Sequence, residues 1–219
     1  MAVHMKVLKN REEWLKNREH TVGGSEAAAL VGKNPYMTNI DLYRIKTGQQ
    51  AKADIDDKEY VIYGRNAEEH LRALFALDYP QYEVDYIDNN SFWNDKYPWA
   101  SASLDGWLTD QDGRKGILEI KTTNILQSMQ KEKWDHRIPD NYYCQVLFYL
   151  GVTEFDFVDL RANLKYHLPD KDLFIITKDF HIERTDPNVE EDIATIMEAT
   201  AKFAERLKKN EEPPLLLSI

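Results

Sequence analysis

Asp105 in Leu104-Asp105-Gly106, and Glu119 with Lys121 in Leu118-Glu119-Ile120-Lys121, are the residues of this 219-residue chain best suited to do chemistry. Gly116 to Thr123 has the pattern of a short strand, and side chains alternate between faces along a strand. Glu119 and Lys121 then share one face, while Leu118 and Ile120 turn to the other, into a core. Asp105 closes an earlier apolar segment, just before a glycine that permits a sharp turn. If the two segments pair, with Asp112-Gly113 in the connection, three charged groups meet at one spot on a sheet. Two carboxylates about 4 Å apart repel by roughly 4 kcal/mol at an effective dielectric of about 20. A divalent cation reverses that sign. Hard, near-octahedral ions, Mg²⁺ above all, take oxygen ligands from one or two carboxylates together with substrate phosphate. A neighbouring lysine can orient a water or offset charge at phosphorus. The chemistry these residue types support is metal-assisted phosphodiester hydrolysis; taken alone, they also describe a hairpin with an Asp-Gly turn and a solvated salt bridge.

Holding these groups in place requires a sheet with helices around it, and the remaining pattern supplies both. Residues 9–19 predict a short helix with Trp14 and Leu15 as its apolar contacts. Gly23-Gly24-Ser25 opens a small-residue helix from Glu26 to Val31, ended by Gly32 and Pro35. Thr38 and Asp41 form a capping pair for a helix from Ile40 to Lys46, stopped by Gly48. Residues 50–57 are polar and read as a loop, and Tyr60 to Leu77 as a longer helix with Ala67, Leu71, Leu74 and Phe75 on one face. From 82 to 108 the segments are extended and rich in aromatics. Asn141 to Leu150 is helical again, and Val152 to Arg161, with Phe155 and Phe157 alternating, reads as a strand, as does Leu173 to Lys178. Asp186-Pro187 supplies an N-cap and first-turn proline for a last helix over about 187–209. Along it Val189, Ile193, Ile196, Phe203, Ala204 and Leu207 trace an apolar stripe, with Thr200 its polar member, before Glu211-Glu212-Pro213-Pro214. The expected fold is α/β, more closely α+β: a central mixed β-sheet flanked by helices, in a single domain over 1–219 with a core of about 18–180.

Composition narrows the partner classes. Aromatic residues reach 11%, enough to predict a folded chain rather than a disordered one. The lone Cys144 excludes an intrachain disulfide and any four-cysteine zinc or iron–sulfur site. A net charge of −10 argues against coating nucleic acid through overall basicity, but not against a local basic channel. The charge is uneven: residues 1–20 carry Lys6, Lys9, Arg11, Lys16 and Arg18 against Glu12, Glu13 and Glu19, while acids gather at Asp54 to Glu59 and Glu183 to Asp192. No leader-like apolar region and no bilayer-length run stands out, so a cytoplasmic protein with no membrane contact is expected. His70, His136 and His167 lack ligand spacing, and Trp93, Trp99, Trp107 and Trp134 read as core or rim.

Further residues line up with the carboxylates. Glu68 sits on the long helix in Tyr63-Gly64-Arg65-Asn66-Ala67-Glu68. Gln145 lies on the helix after the Lys121 strand, three residues from Tyr142 and so on its face. Arg18 precedes Gly23-Gly24-Ser25-Glu26, whose serine and free helix amides would suit a phosphate. In this order and with these gaps, Arg18…Gly23-Gly24-Ser25-Glu26, Tyr63-Gly64…Glu68, Ser103-Leu104-Asp105-Gly106, Leu118-Glu119-Ile120-Lys121 and Tyr142…Gln145-Val146 resemble the phage lambda exonuclease or YqaJ-like viral recombinase group of the PD-(D/E)xK nuclease superfamily. The resemblance runs from about Arg18 to about Ala162. Leu104 departs from it, standing where the superfamily motif has proline.

The resemblance implies a sheet flanked by helices and a two-metal hydrolysis of DNA. Asp105, Glu119 and the Ile120 main-chain carbonyl would hold one Mg²⁺ and Asp105 would touch a second, with Mn²⁺ as an accepted substitute. Lys121 would position the nucleophile, and Glu68 and Gln145 would complete the water and metal shell. Arg18, Ser25 and Ser103 would grip the 5′ phosphate, with Tyr142 among the DNA contacts. The expected activity is a 5′-to-3′ exonuclease that degrades one strand of linear duplex DNA from 5′-phosphorylated ends, releases mononucleotides and leaves 3′ single-stranded tails for phage-type recombination. A homotrimer, a single-strand annealing protein as partner and the cytoplasm of a bacterial host complete the implied setting. Two rivals stand beside it: an endonuclease on the same fold, and a non-catalytic end-binding recombination accessory protein.

Overall fold

The computed structural model describes residues 2–168 and 171–216, without the side chains at 167, 168, 171 and 172. His167 therefore has a described backbone only. In chain order the elements are β1 (Val3–Val7), α1 (Arg11–Glu19), β2 (Val22–Gly23), α2 (Gly24–Leu30), α3 (Asn39–Lys46), α4 (Glu59–Asp78), β3 (Glu83–Asp85), β4 (Asn90–Asn94), β5 (Ala100–Ser101), β6 (Gly106–Thr109), β7 (Lys115–Ile125), α5 (Ser128–Glu132), α6 (Asp140–Thr153), β8 (Phe157–Leu168), β9 (Lys171–Glu183) and α7 (Val189–Lys209).

The five-stranded sheet has the order β3-β6-β7-β8-β9. It is mixed: β7 and β8 run parallel, and the other neighbours are antiparallel. Parallel neighbours need a long crossover, and α6 lies in it. The fold is the expected mixed sheet flanked by helices. The β6–β7 hairpin turns at Gly113, whose φ of 79° suits glycine, and Asp110 Oδ1 accepts from the Asp112 and Arg114 amides at 3.0 and 2.9 Å.

Strand alternation sends the two faces of β7 and β8 into different cores. Ile117, Val158, Leu160, Ala162 and Leu164 belong to a large cluster with residues of α2, α6 and α7. Leu118, Ile120 and Phe157 pack with Leu108 and with Leu71 and Phe75 of α4. Glu119 is thereby placed on the α6 side and Ile120 on the α4 side, as the pattern predicts.

Several boundaries differ from the sequence reading. Val152 and Thr153 end α6, which is closed by Glu154 in a left-handed conformation, and the strand starts only at Phe157 and extends to Leu168. Leu74 is exposed, because α4 buries the narrow i, i+4 row through Leu71 and Phe75. Asp186 does not cap the last helix: α7 starts at Val189 after Asn188, and Asp186 instead accepts from the Glu183 amide at 2.9 Å, closing the turn after β9. β1 pairs with β4 in a separate ribbon, and α5 follows β7; neither carries a clear pattern in the sequence. Thr38 and Asp41 do form a capping box on α3.

Candidate active site

β7 outruns β6. Pairing stops at Gly106 opposite Leu118, while β7 continues to Ile125. The Ile120 amide, past the end of β6, donates instead to Asp105 Oδ2 at 2.9 Å. This bond fixes the Asp105 carboxylate against the edge of the strand that carries Glu119 and Lys121. Its backbone is held as well. Asn90, buried, donates to the Leu104 carbonyl and accepts from the Leu104 amide, both at 2.9 Å, and Arg72 Nε donates to the Asp105 carbonyl at 2.9 Å. Leu104 thus uses an N–H that proline does not have.

Glu119 is 1% exposed. Its Oε1 accepts from Lys121 Nζ at 2.5 Å and from Gln145 Nε2 at 2.7 Å, and its Oε2 is buried without a protein partner. Gln145 also donates to the Tyr149 hydroxyl at 2.9 Å. Tyr149 lies one helical turn beyond Gln145, so the helix spacing carried a signal for it, although its chemistry pointed to packing. Gly24 accounts for its closeness to α2: a Cβ there would fall 2.3 Å from the Tyr149 ring.

Electrostatically the cluster is unbalanced. Burial pushes Glu119 up to about 8, and the Asp105 charge adds to this. Burial, then Asp105, pushes Glu68 up to about 7. Asp105 is also raised by burial, against the pull of Lys121, the Ile120 amide and Arg72. Burial disfavours charge on Lys121, but Glu119 and Asp105 outweigh it and hold the ammonium above its ordinary range.

These groups line one cleft of about 480 Å³ that also takes in Arg11, Trp14, Arg18, Ser25, Arg65 and Ser103. Arg18 lies over the Trp14 ring, 4.5 Å from its centroid, and donates to Ser25 Oγ at 3.0 Å. Trp14 Nε1 donates to Ser103 Oγ, and Ser103 donates onward to the Asn90 carbonyl, both at 2.9 Å. Lys46, buried, fixes the chain between α1 and α2 through Glu26 Oε2 at 2.9 Å and the Arg18 and Thr21 carbonyls at 2.8 and 2.7 Å. Asp105, Glu119, Lys121, Ile120, Glu68, Gln145, Arg18, Ser25 and Ser103 are therefore brought together. Tyr142 is not a wall of this cleft; its ring lies 5.0 Å from Lys121 Nζ, beside Trp134. Trp14, Asn90, Arg72 and Tyr149 are the site residues that sequence reading missed.

The donor set suits a hard cation. An orphaned carboxylate oxygen and raised carboxyls mark a place where positive charge would be favourable. Among the described residues no group of three His, Cys, Asp or Glu side chains is placed to hold a metal ion, so an ion here would need main-chain, water or substrate oxygens as well.

The architecture is shared with solved structures. An alkaline exonuclease, LHK-Exo from Laribacter hongkongensis, matches with a TM-score of 0.59 at 20% identity, covering 91% of this chain and 97% of that one. A phage related exonuclease from Haemophilus somnus 129PT matches with a TM-score of 0.55 at 14% identity, over 90% and 99% of the two chains. At these identities the likeness is one of fold. Residues 13–156 match the YqaJ-like viral recombinase domain, and the chain belongs to that family. It is 32% identical over 157 residues to the uncharacterized protein YqaJ of Bacillus subtilis strain 168, a match covering 65% of this chain and 42% of that protein. The chain thus spans less than half the length of that relative. Among the described residues no helix is long and apolar enough to cross a membrane.

Proposed function

We propose that this protein is a Mg²⁺-dependent nuclease that acts on duplex DNA ends, digesting one strand 5′ to 3′ from a 5′ phosphate. The observation that carries the reading is the unpartnered Oε2 of buried Glu119, in one cleft with Asp105, Lys121 and the Arg18–Ser25 pair. Asp105, Glu119 and the Ile120 carbonyl are the groups to hold the metal, two ions in all, with Mn²⁺ as a substitute. Bound there, the ions would supply an acidified water and offset charge on the leaving oxygen.

The chain's own residues do the rest. Gln145 and Lys121 both engage Oε1 of Glu119, which leaves Oε2 without a protein partner. Lys121 has two further N–H donors with which to orient the attacking water or meet charge on the phosphoryl oxygens. Glu68, beside Asp105 and raised by burial and by that charge in the metal-free protein, is suited to hold that water and accept its proton. Water oxygen bonds to phosphorus, the P–O3′ bond breaks, and the 3′ oxygen leaves as a hydroxyl, taking its proton from solvent water. The released mononucleotide keeps its 5′ phosphate, and each cut regenerates a 5′ phosphate for Arg18 and Ser25 to take. Ser103, whose proton is engaged by the Asn90 carbonyl, contributes through Trp14 unless substrate redirects it.

A terminal phosphate dianion suits a forked guanidinium better than a hydroxyl does. Phosphorylated 5′ ends are therefore expected to be digested faster than hydroxyl ends, and Arg18→Ala to slow them by about ten- to hundredfold while narrowing that gap. The assay is a time course on duplexes differing only in the 5′ group. Equal rates on both ends in the wild type, or ready cutting of closed circles, would replace end digestion with endonuclease action.

A further inference from the structure

Two cleft arginines stand outside the chemistry described so far. Arg11 lies on α1, seven residues before Arg18 and thus on the same helix face, and Arg65 lies on α4, three residues before Glu68. Both reach the loop between α3 and α4. Arg11 Nη2 donates to Asp56 Oδ2 at 2.9 Å, Arg65 Nη1 lies 3.9 Å from that same oxygen, and Arg65 Nη2 donates to the Asp56 carbonyl at 2.7 Å. Two guanidiniums from separate helices, both lining the cleft that holds Asp105 and Glu119, thus converge on one anionic oxygen.

We infer that Arg11 and Arg65 form a second anion site in this cleft, for a backbone phosphate of the bound DNA strand, and that Asp56 fills it in the free protein as an internal stand-in. The inference rests on the nuclease reading and adds to it a contact distinct from the end-gripping pair. Along α1, Arg11 is about 10 Å from Arg18, whereas one strand of duplex DNA rises about 3.4 Å per nucleotide, so the two arginines meet different phosphates. Arg11, Arg65 and Asp56 keep 47%, 39% and 51% of their side-chain surface in solvent. An ion pair that exposed contributes at most about 1 kcal/mol, so a phosphate can displace the carboxylate at little cost. The loop is built to present it: Asp54 Oδ1 accepts from the Asp56 amide at 3.1 Å. The Arg11 hydrogen bond also holds the Asp56 carboxyl below its usual range, so the stand-in is charged at neutral pH.

The test is anisotropy binding of a 5′-phosphorylated duplex in Ca²⁺ across a salt series, for wild type, Arg11→Gln, Arg65→Gln, Asp56→Asn and the variants combined. Each arginine substitution is expected to weaken binding and to reduce the slope of log affinity against log salt by about 1. Asp56→Asn is expected to tighten wild-type binding about fivefold and to do nothing once both arginines are glutamine. Unchanged salt slopes, or the same tightening by Asp56→Asn in both backgrounds, would overturn the shared site while leaving the nuclease reading intact. A wild type that binds no DNA would overturn both.

Discussion

Neighbouring strands of the sheet carry two charge clusters of opposite character. Arg161, on β8, faces Ile120 of β7 across the ladder. Its guanidinium is 3% exposed, yet Nε and Nη2 grip Asp179 at 2.8 Å each, Nη2 reaches Asp78 at 2.7 Å, and the plane lies over Phe75 and Tyr79. The Tyr79 hydroxyl adds a bond to Asp179 at 2.9 Å. Both acids keep contact with water, Asp78 at 58% and Asp179 at 22% exposure. In the cleft, Lys121 serves Glu119 and Asp105, Arg72 acts on Asp105 and on nearby Glu68, Glu119 is sealed from solvent, and one of its oxygens has no protein partner. The fold can evidently saturate a buried charge with hydrogen bonds. Glu119 Oε2 is not saturated in this way, and it shares its cleft with Asp105, Lys121 and Glu68; that difference separates a candidate site from a scaffold.

The strongest way to break the comparison is to remove a cleft carboxylate. Asp105→Asn should lower cleavage by about a thousandfold or more while leaving metal-free stability level or raised by up to a few kcal/mol, since it relieves repulsion. Thermal unfolding with and without Mg²⁺, beside a cleavage assay, checks both halves; wild type alone should gain stability from the ion. A variant that cuts at the wild-type rate would remove Asp105 from the site. Lys121→Ala comes next: a loss of about a hundred- to thousandfold in single-turnover rate, with DNA affinity in Ca²⁺ nearly kept. Equal losses in rate and affinity would make Lys121 a phosphate anchor.

The scaffold cluster should answer in the opposite currency. Arg161→Met removes the hydrogen bonds to two acids that can turn to water, and is expected to cost about 1–3 kcal/mol of stability. Urea unfolding measures this, and cleavage per folded molecule at low temperature should stay at the wild-type rate. A stable but inactive Arg161→Met protein would show that the two clusters are one unit.

What the sequence made legible follows from the range of the interactions involved. The mixed sheet, the capping of α3 and the shared face of Glu119 and Lys121 are local consequences of alternation and capping chemistry. The register that carries Asp105 to the Ile120 amide needed only the hairpin. Asn90, Arg72 and Trp14 stayed invisible because their partners lie 14, 33 and 89 residues away, and nothing local marks them. The alternation of Phe155 and Phe157 marked a strand but not its start, since α6 runs on through Val152 and Thr153 until Glu154 closes the helix. That Tyr142 lies beside Lys121 but outside the cleft lining was equally out of reach, because a shared helix face does not say which wall of a cleft the face meets.

The smallest effect is the most direct measure of the imbalance. Glu119 and Glu68 bind protons more tightly in the folded chain than in the unfolded one, with values near 8 and 7 against an ordinary 4.5. Between those limits the native state holds protons that the unfolded state has released, so stability falls as pH rises. The contribution is fully present below the unfolded value and lost as pH climbs through the folded one. For the metal-free protein this predicts a progressive loss of stability between pH 5 and 8. His181, raised to about 9 by its hydrogen bond to Asp159, slopes the same way above pH 6.5, so wild type must be compared with Glu119→Gln, which keeps that histidine. The slope should be shallower in Glu119→Gln, and Mg²⁺ should flatten it in wild type by taking the place of the protons. Urea midpoints across pH, with and without the ion, give all four curves. Identical slopes for the two proteins would mean that the carboxylates are ionised and already balanced, and the contrast with Arg161 would lose its basis.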